Sequence, residues 1–440
     1  MNRPRAGRWV AAALALLPLA VAHSAITDQR LDQSARELET RLVEWRRDFH
    51  RNPELGNREF RTAKKIEAHL RQLGLDVKTG IAHTGVVALL RGGRPGPTIA
   101  LRADMDALPV TEQTDVPFKS TATAEYRGEK VGVMHACGHD THVAILMAAA
   151  EVLTRLRADL PGSVLFIFQP AEEGPPEGED GGAVMMLEEG LFDSYRPEAV
   201  FGLHIWSPLH AGNIGYRSGP MLAAADRFRI VVAGRQTHGA RPWQGVDPIV
   251  TSAQIVSALQ TVVSRQIDLM RHPAVVTVGS IRGGIRHNII PDTVEMLGTI
   301  RTFDAAQRTD VMERIQRLAQ NIAAANGASA TFALGEDRYP VTVNDVALTQ
   351  RVLPSLGRAV GGEHLISVPL ETGAEDFAYF ADKVPGFYFF VGATPRGQDL
   401  STTPANHSPR FYVDESALQV GLRATLYIAV DYLQGGANNP

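Results

Sequence analysis

Leu31, Leu38, Leu42, Trp45 and Phe49 recur at helical spacing, so residues 27 to 49 read as a helix with one apolar face. A second helix is expected over residues 60 to 70, stopping at Gly74. The pattern then changes period. Short apolar runs at 86–90 and 98–102 read as strands, parted by the Gly- and Pro-rich turn at 92–97. The second run leads directly into Asp104 and Asp106. An alanine-rich helix follows over 141–156, its apolar face wide enough to lie beneath other layers, with Met147 as core filling. Two further strands, 164–169 and 199–203, run into Glu172 with Glu173 and into His204. Repeated delivery of polar residues at strand ends is how an open α/β sheet builds a functional crevice. A lone aspartate pair could equally cap a turn.

Near Gly212 the composition shifts. A strand over 226–234, a helix over 247–262, strands over 274–278 and 293–300 and a helix over 305–326 have the order of a small α+β sandwich. Helix and strand patterns then resume, and the strand 387–392 is followed by a polar cluster at 403–409. The chain therefore divides into residues 26–215 and 333–440, two parts of one domain, and an insertion at 216–332. At 440 residues, one ordinary core is too small to account for it.

Residues 1–25 stand apart. Arg3, Arg5 and Arg8 precede an apolar stretch of about 14 residues, with Ser24 and Ala25 as small residues for cleavage, which is the plan of a secretory signal peptide. The alternative, an uncleaved anchor, would need a longer span. The expectation is an exported protein, periplasmic or secreted, with no stable membrane span. A formal charge of -4 without a basic tract gives no case for nucleic acid.

Chemistry concentrates around Cys137, the chain's single cysteine, in Met134-His135-Ala136-Cys137-Gly138-His139-Asp140-Thr141-His142. One thiolate among imidazoles points to a metal site, although a structural zinc site would bring more cysteines. A free thiol in an oxidising compartment is best protected by burial or by a metal. Taken with Gln169-Pro170-Ala171-Glu172-Glu173-Gly174, Gly202-Leu203-His204, Thr237-His238-Gly239-Ala240-Arg241-Pro242, His287-Asn288-Ile289-Ile290-Pro291 and His407-Ser408-Pro409, this segment completes an ordered set. The set resembles the M20 metallopeptidase family, in particular its amidohydrolase branch of hippurate hydrolases, N-acyl-amino-acid deacylases and indoleacetyl-amino-acid hydrolases. The likeness spans nearly all of the chain beyond residue 25.

The resemblance implies an α/β fold: a mixed-sheet catalytic domain with helices on both faces, interrupted by a smaller α+β lid and dimerisation domain. It implies two divalent metal ions per subunit, zinc or manganese, with cobalt or nickel as further options. Cys137 would bridge them, Glu173 and His407 completing one site and His139 and His204 the other. Glu172 would be the general base. His238 would reach across a homodimer to the substrate carbonyl or oxyanion, joined by Asn288. Other branches place a histidine where this chain has Asp104, so Asp104 is set aside as a ligand, and Asp106 is expected to orient a ligand from behind.

Around these, His135 and His142 are expected to pack beside the ligands or support them from behind, and His50 and His69 to be surface or packing residues. Arg286 and His287 are candidates for a substrate carboxylate, whereas His272, Arg282 and Arg301 are read as structural or surface groups. Glu375 would hold a ligand histidine or an arginine, and Gly373 would leave room for substrate. Asn406-His407-Ser408 also matches the glycosylation triplet, which the adjacent Pro409 disfavours. The expected activity is hydrolysis of small N-acyl amino acids. A metallo-carboxypeptidase or dipeptidase, and a non-catalytic solute-binding protein on the same scaffold, are the alternatives.

Overall fold

The computed structural model describes residues 26–435, so the expected signal peptide lies outside the described residues. The helical pattern at 27–49 resolves into two helices, Asp28–Glu37 and Glu39–Arg51, meeting at Leu38. Thr27 accepts a hydrogen bond from the backbone of Arg30 and so caps the first of them.

An eight-stranded mixed sheet forms the main body. Its order is Asp76–Ile81, Gly85–Arg91, Pro161–Gln169, Arg94–Asp104, Ala199–His210, Gly386–Thr394, Ile214–Tyr216, Leu365–Ser367. The four central strands run parallel. Burial on both faces explains why they read as unbroken apolar runs. Phe166 and Phe168 pack toward Val143 and Met147 on the helix His139–Arg155, while Leu165 and Ile167 face Met186 and Phe377 on the other side. The strand expected to end before His204 instead runs on to His210. It continues because Ile205 and Trp206 keep pairing with Val391 and Gly392 of the neighbouring strand.

The insertion is a four-stranded antiparallel sheet, ordered Ala274–Gly283, Thr293–Thr302, Ala224–Ala233, Ser329–Tyr339. Phe228, Ile230 and Val232 point toward the helices Pro248–Arg265 and Ala305–Ala325 in a core of its own. Both expected boundaries need correction. Residue 216 closes a strand of the large sheet, and the cut between 332 and 333 falls inside Ser329–Tyr339, which pairs with Ala224–Ala233. Its alternating, half-exposed character hid this edge strand. A short ladder between Gly219–Leu222 and Thr342–Asn344 joins the two connections to the main body.

Buried charge fastens the helix Glu39–Arg51 to the helix His139–Arg155. Arg46 Nε lies 2.8 Å from Asp140 Oδ2, and His50 Nδ1 lies 2.9 Å from the same oxygen. Burial opposes ionisation of Asp140, but Arg46 and His50 outweigh it and hold the carboxyl well below the usual range. A carboxyl lowered by folding stabilises above its unfolded value of about 3.9 and loses that contribution as pH falls toward its folded value. Urea midpoints of the metal-free protein are therefore expected to fall as pH drops below about 4, and Asp140→Asn is expected to flatten that dependence. An unchanged slope in the variant would remove Asp140 from the account.

Candidate metal centre

The carboxyl ends of the central strands converge. Asp104 is level with Gln169, so the turn carrying Glu172 and Glu173 rises beside Asp106, and Asp106 Oδ2 accepts from the Glu173 backbone at 3.0 Å. Cys137 and His139 flank Gly138, which starts the helix His139–Arg155 with φ +95. A Cβ there would lie 2.2 Å from Ile205 Cγ2, so only glycine lets the thiol and the imidazole approach the strand that bears His204.

The expected ligands come together. Cys137 Sγ is 3.2 Å from His204 Nε2 and 3.3 Å from His407 Nε2, and His407 Nε2 is 3.0 Å from Glu173 Oε1. Two donor groups emerge, Cys137 with His139 and His204, and Cys137 with Glu173 and His407. The thiol, which the family resemblance makes the bridge, is common to both. A third grouping joins His139 to Glu172 and Glu173, with His139 Nε2 3.8 Å from Glu172 Oε2.

Hydrogen bonding fixes which nitrogen each histidine offers. His139 Nδ1 contacts the Asp106 carbonyl at 2.9 Å, and His204 Nδ1 the Ile205 carbonyl at 2.7 Å. A carbonyl only accepts, so Nδ1 carries a proton in both and Nε2 is the nitrogen left facing the centre; on His139 a metal ion would have to displace a second proton from it. His142 differs. Its Nε2 accepts from the Ile205 backbone at 2.8 Å while Nδ1 donates to Asp104 Oδ1, which leaves no lone pair for a metal. Asp104 accepts from His142 and, at 2.6 Å, from Arg102, although it also groups with His139 and His142 by distance.

The electrostatics suit cations. Burial, reinforced by Glu173 and Glu172, pushes the Cys137 thiol well up. Burial, Glu375 and Glu173 do the same to the Glu172 carboxyl. On His139 burial works downward, yet Asp104 and Asp106 raise it to about 10. His204, buried and beside His142, is held neutral well below its ordinary value. Among the described residues His139 Nε2 and Glu173 Oε1 are buried without a hydrogen bond, although His407 Nε2 stands 3.0 Å from the latter. Thiol, imidazoles and carboxylates with open lone pairs fit divalent ions, which would neutralise this surplus of acid.

Several supports escaped the sequence reading. Asn406 donates to the carbonyls of Cys137 and Ile205 and accepts from Ser207, tying three ligand-bearing segments together. That engagement, with the side chain half-buried, also sets aside the glycosylation reading. Arg102 lies wholly inside the protein, with Asp104, Glu375 and Asp376 within 2.9 Å and Gln169 accepting from Nε. Glu375 thus holds an arginine, as expected, and Tyr388 donates to it. His50 and His69 are packing residues in the interior.

A cleft of about 710 Å³ opens between the main body and the insertion. Glu172, Cys137 and His407 lie on one wall, Gly373 among the residues around them, and Arg227 and Arg301 on the other. Arg301 is therefore a cleft residue, not merely a surface one, because its strand turns alternate side chains away from the insertion's helices. Trp206 and Phe390 stack in the cleft with centroids 4.4 Å apart. His238 and Asn288 do not line it. His238 is on the small ladder of Thr237–His238 with Ile289–Ile290, and Asn288 immediately precedes its second strand, both on the insertion.

The sequence profile of peptidase family M20/M25/M40 matches residues 100–431. Thermostable carboxypeptidase 2 of Saccharolobus solfataricus is 41% identical over 92% of this chain and 98% of its own. The N-acetylcysteine deacetylase of Bacillus subtilis is 39% identical over 90% of this chain and 97% of its own. In structure, a dinuclear metal-binding M20 peptidase from Bacillus subtilis superimposes with a TM-score of 0.75 at 36% identity, covering 91% of this chain and 99% of that one. With this fold and this convergence of donors, the chain belongs to peptidase family M20/M25/M40, as a metal-dependent hydrolase of the amidohydrolase branch.

Proposed function

We propose that the protein releases the acyl group from small N-acyl amino acids, with Glu172 as general base, in an exported compartment. The observation that carries this reading is the division of labour between adjacent carboxylates. Both line the cleft, but Glu173 is drawn to His407 and pinned through its backbone by Asp106, whereas Glu172 belongs to neither of the two thiol-sharing groups.

Cys137, Glu173 and His407 would hold one divalent ion, and Cys137, His139 and His204 the other; the thiolate favours zinc, while the carboxylate and imidazoles also suit manganese. When bound, such ions lower the pKa of a water and polarise the scissile carbonyl. Glu172 takes the proton that the attacking water loses and returns it to the departing nitrogen. His238 and Asn288 would stabilise the oxyanion from a partner subunit. This arrangement is supported by their position outside the cleft of their own chain and by apolar residues exposed on and beside the insertion's edge strand, namely Val275, Ile281, Ile285 and Met270. Export rests on the character of residues 1–25. Among the described residues, no helix is long and apolar enough to cross a membrane.

The names of the Saccharolobus relatives favour a second reading, carboxypeptidase action on short peptides. A panel of N-acetyl, N-benzoyl and N-indoleacetyl amino acids against matched dipeptides separates the two. We expect kcat/KM on the best acyl amino acid to exceed that on the best dipeptide by about tenfold or more, about 1.4 kcal/mol in transition-state binding. The reverse ranking would establish the peptidase reading, and metal-loaded protein without turnover on any of them would favour a binding protein.

A further inference from the structure

The turn that presents Glu172 and Glu173 is not a relaxed one. Ala171 has φ +51 and Gly174 has φ +102, so a residue with a Cβ is held in the left-handed region immediately before the two carboxylates. Such a conformation persists only where the surroundings impose it. Three side chains grip this turn. Glu59 Oε1 accepts from the Ala171 backbone at 2.9 Å, Asp106 Oδ2 accepts from the Glu173 backbone at 3.0 Å, and the Tyr339 hydroxyl donates to the Glu172 carbonyl at 2.9 Å.

The first two belong to the main body. The third does not. Tyr339 is the last residue of Ser329–Tyr339, paired with Ala225 in the sheet of the insertion, and it stands immediately before the ladder through which the insertion joins the body. Its ring lines the cleft. Building on the assignment of Glu172 as base, we infer that Tyr339 is a positioning residue: it fixes the attitude of Glu172 through the peptide carbonyl and makes that attitude depend on where the insertion sits.

The hydroxyl is suited to this. Burial and the neighbouring Glu172 and Asp376 push its ionisation well above the ordinary tyrosine range, so it remains a donor throughout the working pH range. Without this contact the turn would keep only its two body-side anchors, so any displacement of the insertion would be felt at the base through a residue that takes no part in proton transfer.

The test is a double-mutant cycle on the metal-loaded protein with the best acyl amino acid, using Tyr339→Phe, Glu172→Gln and the pair. Tyr339→Phe keeps the ring and removes only the donor. We expect kcat to fall about tenfold, the worth of a lost hydrogen bond in the transition state, with KM within about twofold and metal content unchanged. We also expect Tyr339→Phe to have no further effect on the residual rate of Glu172→Gln, because a residue acting through Glu172 has nothing left to position. Wild-type kcat in Tyr339→Phe would overturn the inference, as would the same tenfold loss in both backgrounds, and a fall in stability without a change in kcat would reduce the contact to a structural one. A wild-type rate in Glu172→Gln would instead remove the base assignment, and the inference with it.

Discussion

Glu172→Gln is expected to lower kcat by about 10²–10⁴-fold, the range that a positioned proton-transfer group contributes, while metal content stays at the wild-type level. Glutamine preserves shape and polarity but cannot accept the water's proton. The two thiol-sharing groups do not contain Glu172, so each would keep its donors. The structure also offers the rival arrangement, in which Glu172 joins Glu173 and His139. In that case the variant would lose metal along with activity. Metal analysis beside steady-state kinetics therefore reads two different failures: loss of metal would make Glu172 a ligand, and full activity would leave another group to be the base.

Arg102→Met is expected to destabilise the protein by about 3–5 kcal/mol, as removal of one partner from a buried ion pair does. Three carboxylates stand around this guanidinium, all of them inside the protein. Burial already pushes the Asp376 carboxyl up to about 7, against the pull of Arg102, so the cluster has little tolerance for further uncompensated charge. Methionine fills a similar volume and leaves that charge unanswered. A urea midpoint within error of the wild type would show that the carboxyls simply take up protons and that the arginine contributes little. If the cluster matters as described, the double variant Arg102→Met, Asp104→Asn should recover part of the loss, because it removes one of the stranded acids.

The part of the site that was legible from sequence is the part set by residue type and local order. Cys137 and His139 stand out as donor types, and the polar strand ends at Glu172, Glu173 and His204 lie where an α/β sheet gathers a site, whereas the choice of Glu173 over Glu172 and the inclusion of His407 rest on the resemblance to the M20 family. The core was readable too, since Val164 to Phe168 is an unbroken apolar run of strand length. What escaped notice acts across distance. Arg102 lay in plain view as a cation inside an apolar strand, next to Asp104, and that mismatch was the available signal. Tyr339 and Asn406 carry no comparable mark, since a tyrosine before a proline or an asparagine beside a histidine acquires meaning only when remote backbone carbonyls arrive. The missed edge strand Ser329–Tyr339 failed for a related reason: Ala330, Phe332 and Leu334 turn toward the insertion's core while Ser329, Thr331 and Ala333 between them are exposed, so it never forms a continuous apolar run.

The ladder between Gly219–Leu222 and Thr342–Asn344 bears on modularity. It brings the chain's departure from the main body and its return side by side, with Leu222 opposite Thr342. None of the eight strands of the large sheet lies between those two points. In topological terms the catalytic body is already a closed unit, and everything from residue 223 to 341 is a loop that happens to be a folded module. A gene could exchange that module for a short turn, or for a module of another shape, without re-pairing a single strand of the sheet beneath the metal donors. Substrate range, subunit association and the grip on Glu172 could then vary together while the metal-binding chemistry stayed as it is.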